Sequence, residues 1–167
     1  AALTDFCCEL EVRRAVRERK FLREELGVKA LLTSLNCRPH RPAKVPVVSS
    51  CFDYVDDHFY VDHPKFLGAR FQLPSWNPNT NPLFHDEFHL ARCAFTRVAG
   101  KPFAVSEWNF AGPSSYRGMG GLLTGALAGL QDWNVLWRFA YAHSLEAMRG
   151  VSADSGSFDL ATDPLKQ

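Results

Sequence analysis

Apolar positions recur along this chain at two spacings, and the spacing changes at glycines. Phe6, Leu10, Val16, Phe21, Leu22 and Leu26 stand among charged neighbours at intervals that suit one face of a helix. Thr4 can cap that helix, and Gly27 can close it after about Leu26. The run VKALLTSL, residues 28–35, follows directly as a short apolar strand that ends at Asn36. The prolines and basic residues of CRPHRPAKVPVVSS forbid a regular element until Val47. FDYVDDHFYV, residues 52–61, reads as the next strand, with His58 and Tyr60 on one face and Phe59 on the other. A Pro- and Asn-rich loop over residues 64–82 leads to a helix over 85–99. There Phe88, Ala91, Ala94, Phe95 and Val98 recur at helical spacing before Gly100.

The second half repeats the scheme. Phe103, Ala104 and Val105 make an uninterrupted apolar run within KPFAVSEWNF, residues 101–110, of the kind seen in a parallel strand buried on both faces. A helix over 119–132 carries Gly121, Gly125 and Gly129 at intervals of four, which would let it lie close against a sheet. WNVLWRFAY, residues 133–141, is a further strand with Val135, Trp137, Phe139 and Tyr141 on one face. His143 and Ser144 close it. A short helical stretch to Met148, a Gly/Ser/Asp loop and the first turn of a helix at residues 163–167 complete the chain. Strands alternating with helices predict an α/β fold with parallel strands, and four strands cannot close a barrel whose usual count is eight.

Composition narrows the partners. At 167 residues, 46% hydrophobic and 22% charged, the chain reads as one globular unit over residues 1–167. The net charge of +1 is joined by an interleaving of acids and bases in the first helix. Neither points to nucleic acid or an anionic membrane as partner. No apolar run approaches the roughly 20 residues that span a bilayer. Cys7, Cys8, Cys37, Cys51 and Cys93 form no C-x-x-C pair, so buried free thiols are expected rather than a zinc site or disulfide framework. His58 and His63 with Asp56, Asp57 and Asp62 match no metal motif, and neither a metal nor a cofactor is expected. Ala1 opens no signal peptide, and the chain reads as starting in the middle of something longer.

The candidate chemistry sits at Glu107, where the strand KPFAVSEWNF should emerge, followed by Trp108 and Asn109, which can stack on and hydrogen-bond to a polar ring. A carboxylate at the C-terminal end of a strand in a β/α repeat is where barrel enzymes keep their chemistry. By itself it fits an ordinary solvated strand end equally well. Trp76, in the PSWNPNTNP loop, is either a sugar platform or a lid residue.

With these segments in place, nearly the whole chain resembles the second half of a retaining glycoside hydrolase on a (β/α)8 (TIM) barrel, of the clan that includes cellulases, mannanases and β-galactosidases. LGVKALLTSLN resembles strand five, FDYVDDHFYVDHP strand six, KPFAVSEWNF strand seven and QDWNVLWRFAYAH strand eight. The resemblance implies that Glu107 is the nucleophile and that Tyr60 or His58 hydrogen-bonds it. It also implies that Trp137 floors a sugar site to which Trp108, Asn109, Trp76 and Asn36 contribute. The implied partner is an oligo- or polysaccharide. The clan's acid/base, a Glu that ends strand four, has no counterpart before the first helix. Retaining hydrolysis needs two carboxyls about 5–5.5 Å apart. The chain therefore reads as a fragment, inactive alone and lacking the N-terminal barrel half. The alternatives are a carbohydrate-binding protein without chemistry and a half barrel that self-associates.

Overall fold

The computed structural model describes residues 2–33, 50–84, 89–149 and 156–167. Helix α1 (Ala2–Lys20) continues through a π-helical turn, Phe21–Glu25, and the chain reverses at Gly27 with φ +64°. A side chain at that left-handed φ would be strained, which is why a glycine ends the helix. The helix starts at Ala2, before the expected Thr4 cap, and most of its expected apolar anchors are not buried. Phe6, Leu10, Val16, Phe21 and Leu26 are exposed, while Ala15 packs on Phe52 with Cys8, Val12, Leu32 and Cys51 around it. An apolar stripe is buried only as far as a second layer faces it. Among the described residues that layer is one short segment.

The strand expected over 28–35 does not form across 28–33, and the remainder lies outside the described residues. Strands need a backbone ladder, and here side chains take the backbone groups instead. Arg23 donates to the carbonyl of Ala30 at 2.8 Å, and the Leu32 N–H donates to Asp53 Oδ2 at 2.8 Å. That N–H, against the opposing effect of burial and with help from Arg23 and Arg19, holds the Asp53 carboxyl below its ordinary range.

Strand β1 (Val55–Val61) begins the sheet. The long loop after it contains a small antiparallel hairpin, β2 (Lys65–Phe66) with β3 (Ser75–Trp76). Helix α2 (His89–Ala94) is shorter than the expected 85–99, of which 85–88 lie outside the described residues. Its buried positions are Leu90 and Cys93, while Phe95 is exposed. Strand β4 (Phe103–Phe110), helix α3 (Gly120–Gln131), strand β5 (Val135–Arg138) and helix α4 (Leu145–Met148) follow. β4 lies between β1 and β5 and runs parallel to both. The fold is thus mixed α/β around a small parallel sheet. The core fills its helix face: Phe59 and Val61 of β1, Phe103, Val105 and Phe110 of β4, and Leu90 of α2, with Leu123 and Leu127 of α3 against them.

Three further expectations change. α3 meets the sheet through Gly120, Thr124 and Ala128, whereas Gly121, Gly125 and Gly129 face open space. The close approach is at Gly120, where a Cβ would lie 2.8 Å from the Phe110 ring. β5 stops at Arg138: the Phe139 N–H still donates to the Trp108 carbonyl of β4 at 3.0 Å, but Ala140 N donates instead to a loop, at the carbonyl of Phe158, 3.1 Å away. The final residues form turns rather than a helix start. Lys166 is buried there, donating to the Ser157 carbonyl at 2.6 Å, and burial pushes its pKa down to about 8. Of Cys7, Cys8, Cys51 and Cys93, expected to be buried, only Cys93 is; Cys37 lies outside the described residues.

The α3 geometry makes a paired prediction. Gly125→Ala, with nothing for its Cβ to meet, raises stability by up to about 1 kcal/mol through helix propensity. Gly120→Ala, which must displace Phe110, lowers it, and thermal melts of the two variants should move in opposite directions.

Candidate active site

A break in alternation places the site. On β1 the residues Val55, Phe59 and Val61 face the core, so Asp56, His58 and Tyr60 share the opposite face. On β4 the core residues are Phe103 and Val105 and then Trp108 and Phe110, so the parity flips between Val105 and Trp108. The pairing register slips at the same point. Asp57 pairs with Val105, whereas His58 pairs with Glu107, leaving Ser106 as the extra residue of a β-bulge. Strict alternation would have sent Glu107 into the core with Val105. The bulge instead brings Ser106 and Glu107 together onto the face that carries Asp56, His58 and Tyr60.

These five residues form one connected network. Asp56 Oδ1 accepts from the Ser106 N–H at 3.0 Å, and Asp56 Oδ2 accepts from the Ser106 hydroxyl at 2.6 Å. Ser106 Oγ lies 2.9 Å from His58 Nε2, and His58 Nδ1 lies 3.0 Å from Glu107 Oε2. The Tyr60 hydroxyl donates to Glu107 Oε1. Counting protons orders the chain: an ionised Asp56 can only accept, Ser106 has one hydroxyl proton and gives it to Asp56, so His58 Nε2 is the donor to Ser106. One further proton lies between His58 Nδ1 and Glu107 Oε2, while Tyr60 donates to the other oxygen. Glu107 is therefore held in one orientation, by Tyr60 at one oxygen and by His58 at the other. Burial, followed by the hydrogen bond and the charge of Glu107, pushes the Tyr60 hydroxyl far above its ordinary value of 10.0, so it remains a donor throughout the neutral range.

Glu107 and Tyr60 open into a cavity of about 880 Å³. Much of its wall is aromatic. Phe158 packs on Tyr60 at 4.9 Å, on His63 at 5.6 Å and on Phe139 at 6.4 Å between ring centres, and Phe139 stands at right angles to Tyr60. Asn109, fully buried, fixes two of these segments by donating to the carbonyls of Phe158, at 2.6 Å, and Phe139.

The structure thus brings Glu107, Tyr60 and His58 together on one face of the sheet, although Glu107 does not end its strand as expected, because past the bulge β4 goes on pairing with β1 through Phe110. The residues expected to hold a sugar fall elsewhere. Trp137 is exposed and does not line the cavity, because β5 ends one residue later and the aromatic ring turned inward is Phe139. Trp108 is buried on the helix face, stacked on Phe59 at 5.9 Å and covered by Arg138 at 5.0 Å. Asn109 shapes the wall without being exposed to the cavity, and Trp76 sits on the hairpin beneath Lys65, 4.7 Å from its ring. Asn36 lies outside the described residues. Asp56 was legible only as an imagined metal ligand, and Ser106 not at all, since the bulge is not written in the hydropathy. Phe139 lay one strand register from the expected Trp137. Phe158 and His143 follow the last strand, in segments with no periodic signal. Among the described residues no group of three or more His, Cys, Asp or Glu is placed to hold a metal; Asp62 accepts from Thr80 N at 2.9 Å.

Two measurements check the network. Ser106→Ala removes the hydroxyl that bonds Asp56 and His58 and should cost about 1–3 kcal/mol in chemical denaturation, a loss that Ser106→Thr, which keeps the hydroxyl, should largely avoid. The Tyr60 pKa is higher in the folded state than in the unfolded one, so its contribution to stability is complete below about pH 10 and is lost as pH rises beyond that. Denaturation midpoints of the wild type should therefore fall more steeply above pH 10 than those of Tyr60→Phe. No family model, curated protein or solved structure matches this chain.

Proposed function

We propose that this chain carries the nucleophile of a retaining glycoside hydrolase, and that its parallel sheet belongs to the second half of a (β/α)8 barrel. The observation that supports the reading most is Glu107 itself. It stands at the bulge of the central parallel strand, Tyr60 and His58 hold its two carboxylate oxygens, and its side chain is 32% exposed toward a cavity walled by aromatic rings. A free carboxylate so oriented is suited to attack an anomeric carbon, and Phe139 offers a flat apolar surface to the face of a pyranose. In such a reaction a Glu107 oxygen bonds to the sugar as the glycosidic C–O bond breaks, and water later releases the sugar from the ester.

The departing oxygen needs a proton from a second carboxyl. Asp159 and Asp163 also line the cavity, but Asp159 is engaged by His143, and Asp163 is bound by Arg117 at 2.6 Å. We assign the acid to an upstream strand of a longer parent protein, which makes the 167-residue chain inactive alone.

The test is made in a protein that carries that upstream half. Glu107→Ala should reduce hydrolysis of aryl glycosides to background, and added azide should restore turnover with release of a glycosyl azide of inverted configuration. Tyr60→Phe removes one hydrogen bond to a charged group, about 1.5–3 kcal/mol, and should slow turnover roughly ten- to a hundred-fold. Full activity in the Glu107→Ala protein would reduce Glu107 to a solvated strand end.

A further inference from the structure

A second pair of side chains faces the same cavity. His143, in the turn after β5, lines it, and its Nδ1 is bonded to the carboxylate of Asp159. The two differ sharply in exposure: the Asp159 side chain is 2% exposed and that of His143 is 44%. A buried, ionised carboxylate can only accept, so the proton on the facing edge of the ring is on Nδ1. In the neutral imidazole Nε2 then carries the lone pair, and among the described residues it has no hydrogen-bond partner.

The pair is firmly placed. Asp159 belongs to a loop that Asn109 ties to the central strand through the Phe158 carbonyl, at 2.6 Å, and that Lys166 ties at Ser157, also at 2.6 Å. The Leu160 N–H donates to the carbonyls of Ala140 and Tyr141, at 3.1 Å each, which closes the loop onto the segment carrying His143. The His143 ring stands edge-on to Phe139, 5.1 Å between centres. Phe139 in turn abuts Tyr60, the hydrogen-bond donor to Glu107. One aromatic platform is thus bordered by the partner of Glu107 and by a histidine whose outer nitrogen is uncommitted among the described residues.

We infer that His143, oriented by the buried Asp159, is a sugar-binding residue of the Glu107 cavity, with Nε2 as the atom that meets a ring hydroxyl. A pyranose lying on Phe139 presents hydroxyls around its edge, and a fixed imidazole nitrogen beside that platform accepts a hydrogen bond from one of them. The nature of the ligand rests on the glycoside hydrolase reading; the tautomer and the orientation of the ring do not. His143 is a binding group here and takes no part in bond breaking.

The experiment uses the 2,4-dinitrophenyl 2-deoxy-2-fluoro-glycosides of glucose, mannose and galactose on the intact protein with its upstream half. Dinitrophenolate departs without acid assistance, so labelling reports the nucleophile and the binding site alone. Mass spectrometry should find the adduct on Glu107. His143→Ala should raise the probe concentration for half-maximal inactivation about ten-fold, the worth of one hydrogen bond, in protein that circular dichroism shows to be folded even though its melting temperature falls as the buried Asp159 loses its partner, with His143→Gln recovering part of the loss. Labelling of Glu107 that His143→Ala leaves unaltered overturns this inference and spares the nucleophile. No labelling by any of the three sugars overturns the glycosidase reading, and the inference with it. Should His143→Ala fail to fold, the 15N resonances of the wild-type histidine decide. The Nε2 signal should move when the probe sugar occupies the site while Nδ1 keeps its proton, and a stationary Nε2 signal overturns the assignment.

Discussion

One extra residue in the central strand carries the organisation of this protein's candidate site. Ser106 has no partner of its own in the β1–β4 ladder, and its insertion exchanges the faces of everything beyond it. The result is unusual side-chain placement: two consecutive residues, Ser106 and Glu107, work on one face, and Trp108, which follows them, joins the core. A bulge is a local loss of ladder pairing, and it persists where other contacts over-determine it. Here Asp56 supplies them, gripping both the backbone N–H and the hydroxyl of Ser106. The buried carboxylate and the bulge are thus two halves of one device, which aims Glu107 and at the same time fixes the ring of His58.

The cavity depends on a second set of buried polar groups. Asn109 spends its amide on the carbonyls of Phe139 and Phe158, and Lys166 spends its ammonium on the carbonyl of Ser157. Each replaces a backbone partner that a loop cannot find in a sheet, at the cost of taking a polar group out of water. In the case of Lys166 that cost is visible in a pKa pushed down to about 8. The gain is a supported wall in which Phe139, Phe158, His63 and Tyr60 contact one another ring to ring. Catalytic and binding groups placed on such supported loops keep their geometry without belonging to regular structure.

The helix faces show the complementary case. Where a layer faces a helix, small residues set the approach, as at Gly120 against Phe110. Where none does, apolar side chains remain exposed, as along α1 and on the outer side of α3, where Leu122 and Leu130 are 77% and 80% exposed.

Periodicity and strand-end chemistry were sufficient to locate β1, β4 and β5, to place His58 and Tyr60 opposite Phe59, and to single out Glu107, because each rests on local order along the chain. A two-residue repeat decides faces and an apolar run decides burial, while the charge that interrupts the run at Glu107 marks the bulge and not the strand's exit, which comes after Phe110. Only the tertiary structure decided the rest. Whether residues 28–33 pair as a strand depended on Arg23 and Asp53 taking their backbone groups. Which aromatic ring of the last strand faces the cavity depended on where that strand left its ladder, and the answer was Phe139 and not Trp137. The link from Asp56 through Ser106 and His58 to Glu107 joins residues about fifty positions apart. A bulge that no hydropathy pattern records brings them together, because register is a property of two strands and not of either one alone.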